Sequence, residues 1–187
     1  MKKLITVALL AAATSMIACS KDSASSGGAA PPSGAAAPVK AEAMEIPGTG
    51  AEFMPPAGWD KEQKAPWTIM ATKPDANGNV SAVMAFVTFN QPNESTAKLG
   101  TLAQVLELSD IQWGGRETLE LPSGFPATGA AGTCKDKGGN ACEIHYLTIN
   151  PGGSEQILFV YAVDKDTAKT NEPAVVAAVR SLKKGGG

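Results

Sequence analysis

The stretch SAVMAFVTFN at residues 81–90 constrains the fold more than any other part of the chain. It carries no charge and places apolar side chains at both sets of alternating positions. Side chains of a strand point to opposite faces in turn, so a strand of this kind needs cover on both faces. A sheet with one face open to water does not satisfy it. The chain has to supply neighbours along both edges of this strand and a layer on each side.

The surrounding sequence offers those parts. Residues 51–56, AEFMPP, read as a short first strand stopped by two prolines, with Gly58 and Trp59 in a turn. Residues 67–72 read as a strand, and Asp75-Ala76-Asn77-Gly78-Asn79 as a turn, Asn-Gly being a strong hairpin signal. The period changes over 95–109, where Leu99, Leu102, Val105, Leu106 and Leu108 recur at helical spacing and Asn93 or Ser95 can cap. Four further strands follow at 117–121, 127–135, 142–150 and 156–164. Asn171-Glu172-Pro173 then opens a last helix with Val175, Val176 and Val179 on its apolar face. The expected order is β-β-β-α-β-β-β-β-α. Short turns between consecutive strands imply a mainly antiparallel sheet. Two helices have to cover it, so the fold class is α+β, an α-β-α sandwich.

This order, with the opening FMPPAGW, one mid-chain helix, a four-strand meander and the closing Val179-Arg180-Ser181-Leu182-Lys183, resembles the PsbP/DcrB-like superfamily. The resemblance covers about residues 51–183. It implies an α-β-α sandwich around an antiparallel sheet, and binding or assembly work rather than catalysis. It carries no functional residue over to a position here.

The front of the chain concerns location. Lys2 and Lys3 precede an apolar run at 4–18, the layout of a secretory signal peptide. The run is shorter than the roughly 20 residues that span a bilayer. Met16-Ile17-Ala18-Cys19 resembles the bacterial lipobox, with Met16 in place of the commoner Leu. That resemblance implies a diacylglyceryl thioether on Cys19 and cleavage before it. Two or more acyl chains make such an anchor stable, each buried methylene contributing about 0.8 kcal/mol. Ser20 after the cysteine favours, by the same resemblance, the outer membrane of a Gram-negative cell. Residues 20–40 are almost all Ser, Ala, Gly and Pro, and cannot bury enough apolar surface to offset ordering entropy. The segment either holds the domain off the membrane while letting it sweep a volume, or only spaces it from the headgroups. The expected organisation is a signal peptide at 1–18, a lipidated cysteine and tether at 19–43, one globular domain at 44–183, and a frayed tail at 184–187.

Removing 1–18 takes away two lysines and no acid, so the formal charge of −2 becomes −4. A mildly acidic chain without basic clusters argues against nucleic acid as a partner. Two cysteines then remain, Cys134 and Cys142, at the mouth of a hairpin in an oxidising compartment, where a disulfide fits. A metal site is the rival, but the spacing is not Cys-x-x-Cys and His145 is the lone histidine. A redox-active pair also favours Cys-x-x-Cys.

Few constellations look chemical. Ser95-Thr96-Ala97-Lys98 matches Ser-x-x-Lys, a nucleophile motif of penicillin-recognising enzymes, but Ser109-Asp110-Ile111 and Lys169-Thr170-Asn171 miss the partner motifs. The plainer reading is a cap serine with an exposed lysine. A serine triad would have to use His145, which sits in an alternating strand beside Leu147 and Ile149. Asp75, Asn77 and Asn79 resemble a calcium run, but the glycine falls too early for an EF-hand and the turn explains them. Trp59, Trp67 and Trp113 are the remaining candidates for a binding surface, with Arg116 in the same stretch as Trp113, since Trp and Arg are enriched at hot spots. For Trp113 a buried place at a sheet edge is the competing reading. The sequence therefore points to an envelope lipoprotein, anchored to the outer membrane through Cys19 and facing the periplasm. Its expected role is non-catalytic protein binding or assembly with an envelope partner, without cofactor. A small-molecule or lipid-binding role, or a small hydrolase, are the alternatives.

Overall fold

In the computed structural model, which describes residues 42–185 apart from 65 and 92, the apolar run becomes a strand at Ala82–Phe89 with neighbours on both edges. In chain order the elements are β1 (Met44–Ile46), β2 (Ala51–Phe53), β3 (Asp60–Lys64), β4 (Trp67–Ala71), β5 (Ala82–Phe89), α1 (Glu94–Val105), β6 (Ser109–Trp113), β7 (Glu117–Glu120), β8 (Pro126–Lys135), β9 (Ala141–Ile149), β10 (Gln156–Asp164), α2 (Ala168–Arg180) and β11 (Lys183–Lys184). Eight strands form one sheet in the order β3-β4-β5-β10-β9-β8-β6, and β7 pairs with β8 along the same outer edge as β6. Every pairing is antiparallel. A small sheet, β1-β2-β11, joins the first and last strands of the domain.

Both faces of the large sheet are covered, which is what β5 requires. On one face Met84, Phe86, Ile149, Ile157 and Phe159 pack with Val175, Ala178 and Val179 of α2 and with Ile46 and Phe53 of the small sheet. The Phe53 and Phe86 rings meet edge to face at 5.3 Å. On the other face Trp67, Ile69, Ala85, Val87, Phe89, Leu158, Val160 and Ile144 pack with Leu102 of α1, flanked by half-buried Leu99 and Val105. Burying each large apolar side chain contributes about 1.5–3 kcal/mol. Apolar burial on both faces thus holds the sheet between the two layers.

The α+β class and the antiparallel sheet agree with the sequence reading, but the order of elements agrees only in part. Four strands were absent from it. β1 and β11 are too short to show a period. β3 reads DKEQK and is exposed along its whole length, so it has no apolar alternation to detect. It pairs with β4 through the backbone ladder and one side-chain bond, Thr68 Oγ1 donating to Gln63 Oε1 at 3.0 Å, and its charges discourage a further strand from adding at that edge. β6 was hidden by Leu106 and Leu108, which continue the helical spacing of α1. The helix instead ends at Val105, and the chain turns through Glu107 and Asp110, both at positive φ. Leu108 and Ile111 then reach the same apolar cluster from a turn and a strand. The stretch that ends at Trp113 is this strand. At the other end, α2 starts at Ala168 with Thr167 in the cap position, so Asn171 is inside the helix and so is Pro173. Pro173 is exposed, where water can satisfy the carbonyl that its missing N–H leaves. Asn171 Nδ2 donates instead to Ser81 Oγ at 3.1 Å, docking the helix against the start of β5.

Candidate functional site

Strand β8 reads PATGAAGTCK, and its small residues let neighbours come close. Gly132 lies opposite Trp113 of β6. A Cβ at Gly132 would stand 2.5 Å from the Gln112 carbonyl oxygen and 3.0 Å from Trp113 Cε3, so only glycine admits the indole there. Trp113 thus leans over bare backbone. One strand further in, Tyr146 of β9 meets the indole edge to face with centroids 5.0 Å apart. Arg116, in the link from β6 to β7, donates from Nε to the Tyr146 hydroxyl at 3.0 Å. This is the one hydrogen bond Arg116 makes among the described residues, so the rest of the guanidinium donors face no protein acceptor there. Trp113 keeps 37% of its surface exposed, which makes it one of three large apolar side chains so exposed among the described residues. The outcome is an aromatic pair with an arginine braced against it, at an open edge of the sheet.

Trp113 and Arg116 are therefore brought together, with Tyr146 as the link. Trp59 is not part of the group. It is half-buried and packs against the core on the α2 face. Tyr146 was missed by sequence reasoning, although the signal existed. In the alternating strand around His145, residues 144 and 146 fall on the face opposite His145, which is the face of Trp113.

His145 faces α2. Its ring stacks on Tyr161 at 4.4 Å with planes 5° apart. Tyr161 in turn donates to Glu172 Oε1 at 3.3 Å. Burial holds the His145 pKa below its ordinary value, against the opposing pull of the Glu172 and Glu143 charges. Burial also pushes the Tyr161 phenol well above its ordinary value, with Glu172 adding to the effect. Ser95 and Lys98 lie on α1, which covers the other face. The sheet therefore separates the serine from the histidine, and the two form no nucleophile–base pair. Asn93 takes the α1 cap position, without a side-chain cap bond.

Cys134 and Cys142 stand directly opposite across the β8–β9 hairpin and are bonded, with Cα atoms 4.9 Å apart. The Asp75 carboxylate accepts from the Asn77 and Asn79 amides at 2.8 and 2.9 Å, and these bonds hold its pKa below the usual range. That geometry closes a turn. Among the described residues no group of three or more His, Cys, Asp or Glu is placed to hold a metal ion. Cys19, the expected signal segment at 1–18 and residues 20–41 lie outside the described residues.

No family model and no curated protein matches the chain. Solved structures do match. The cyanobacterial PsbP protein CyanoP of Synechocystis aligns at a TM-score of 0.54 and 13% identity, over 81% of this chain and 98% of that one. LpqN of Mycobacterium tuberculosis, described as involved in cell envelope biogenesis, aligns at 0.48 and 17% identity over 71% and 82%. A Bacteroides thetaiotaomicron crystal structure aligns at 0.48 and 10% identity over 76% of this chain, which spans 47% of that protein. The similarity to CyanoP establishes a PsbP-like fold.

Proposed function

We propose that this chain is a lipid-anchored protein of the cell envelope whose PsbP-like domain works as a non-catalytic docking module for another envelope protein. The observation that carries the reading is the braced group of Trp113, Tyr146 and Arg116. An exposed indole costs solvation, and an arginine held by a tyrosine hydroxyl loses less freedom on binding than a loose one. Aromatic rings with a neighbouring arginine are the residue types that dominate interface energetics. The location rests on the sequence front. Cys19 follows an apolar run at the lipobox position, and Ser20 directs the anchored chain to the outer membrane, facing the periplasm.

The test is a photoreactive residue at Gly115, beside the group, in living cells. Gly115 is exposed, and a Cβ there meets nothing within 4 Å. One dominant protein adduct, lost on Trp113→Ala and weakened on Arg116→Ala, is the expected result. An adduct pattern indifferent to both substitutions refutes the docking surface. Cys19→Ala is expected to release the chain from the membrane fraction, and a chain that stays there refutes the anchor.

A further inference from the structure

The α1 face of the sheet carries a groove of about 260 Å³, well away from Trp113 and Arg116. Its floor is shallow because the residues there are short: Ala71, Val83 and Ala162 lie side by side across β4, β5 and β10. Ile69 continues the floor, and Leu106 and Leu108 form one wall. Helix α1 stops before it reaches this area. The wall is instead the turn that leads into β6, where Glu107 and, at the start of the strand, Asp110 hold positive φ, the left-handed region that residues other than glycine seldom occupy. Two exposed ion pairs lie between that segment and the β8–β9 hairpin, Lys137 to Glu107 at 2.8 Å and Lys135 to Asp110 at 2.7 Å. The wall is thus set by the backbone conformation of this turn, and apolar surface is left open beneath it.

The two ends of the groove differ in charge. On β3, Glu62 and Lys64 offset each other. Three strand spacings away, roughly 14 Å, the end near β9 has Asp164 and Asp136 lining it and no lysine or arginine. Asp136 is engaged by Asn140, whose amide groups donate to both of its carboxylate oxygens. Asp164 makes no side-chain hydrogen bond or ion pair among the described residues. A groove with an apolar floor and, at one end, a carboxylate without a hydrogen-bond or ion-pair partner among the described residues matches a ligand with the opposite arrangement.

We propose that this groove binds a small amphiphilic amine, its cation against Asp164 and Asp136 and its apolar part laid over Ala162, Val83 and Ala71 beneath Leu106 and Leu108. The volume lies below the usual 300–1,000 Å³ of ligand pockets, which limits the occupant to about one ring and a short chain. The site shares no residue with the docking group, so either reading stands if the other fails.

The experiment is an amide NMR titration of the full chain with phenylbutylamine, phenylbutanol and phenylbutyrate. The amine is expected to shift the amides of Ala71, Val83, Ala162 and Leu108, and to bind at least about tenfold more tightly than the alcohol. The carboxylate is expected not to bind. Asp164→Asn should remove the advantage of amine over alcohol while leaving alcohol binding unchanged. Ala162→Leu should fill the floor and block both, with the spectrum reporting that each variant is folded. The proposal is overturned if amine and alcohol bind alike to the unaltered chain, if the shifts lie outside the groove, or if no shift occurs up to about 10 mM amine.

Discussion

Reducing the bond between Cys134 and Cys142 should lower the stability of the domain by about 2.5 kcal/mol. The two residues are eight apart in sequence. In the chain-entropy model a loop of that size, left open in the unfolded chain, restores about 8 cal/mol/K of freedom, which is about 2.5 kcal/mol at 25 °C. The described domain of roughly 140 residues unfolds with an entropy of about 0.3 kcal/mol/K, so the midpoint should fall by about 8 °C. Both half-cystines are buried, and the β8–β9 ladder holds them opposite each other with or without the bond. The loss should therefore come from the unfolded state, not from a changed fold. The nearby Lys135–Asp110 pair is exposed on both sides and adds little. The assay is urea unfolding of the full chain followed by tryptophan fluorescence, with and without reductant, repeated on Cys134→Ser/Cys142→Ser at low and high salt. The same loss at both salt concentrations is expected. A loss below about 1 kcal/mol would refute the loop-entropy reasoning. A salt-dependent loss would assign the effect to the ion pairs instead.

Two other outcomes follow from local geometry. His145 has a folded pKa below its ordinary value of about 6.5 because burial disfavours its charged form. Its unfolded form therefore takes up protons first, and stability should fall as pH drops from about 6.5 toward the lower folded value. His145→Phe, which keeps a ring against Tyr161, should flatten that part of a stability–pH curve, and an unchanged slope would show that other groups cause it. At Gly129, a Cβ would collide with the Tyr146 carbonyl oxygen and crowd Leu147 Cδ2. Gly129→Ala should cost several kcal/mol, in the range of overpacked or broken ladders, while Gly115→Ala should be nearly neutral. Thermal melts of the two variants compare them directly.

The large-scale fold was legible where the hydrophobic pattern was strong. The doubly apolar run at 82–89 demanded two covering layers, and both exist. Strands without such a pattern were not legible. Nothing in DKEQK distinguishes a charged edge strand from a loop, because its ladder with β4 is made by backbone groups common to all residues and its one side-chain bond, from Thr68 to Gln63, leaves no pattern in the sequence. The α1 boundary was misplaced because Leu106 and Leu108 keep the helical spacing while serving the core from a turn. Backbone strain at Glu107 and Asp110 leaves no mark in a hydrophobic pattern. Trp113 and Arg116 were legible as residue types, but their union depends on Tyr146, which reaches them across two strand pairings. Gly132 was visible only as a glycine in a small-residue strand, and its reason is the ring that crosses it. The groove could not be foreseen, since it arises from where α1 stops.

The small sheet has a mechanical consequence. β1 and β11 both pair with β2, both antiparallel to it, so they run parallel to each other. Lys183 and Glu52, opposite in register, are also ion-paired at 3.0 Å. A pull applied between Met44 and Lys184 acts along these strands in opposite directions and shears their hydrogen bonds together, instead of opening them one at a time. The tension is carried by β1, β2 and β11 before it reaches the large sheet. A domain drawn taut by its two ends would give way in this corner first, with the Trp113 edge and the groove floor still in register.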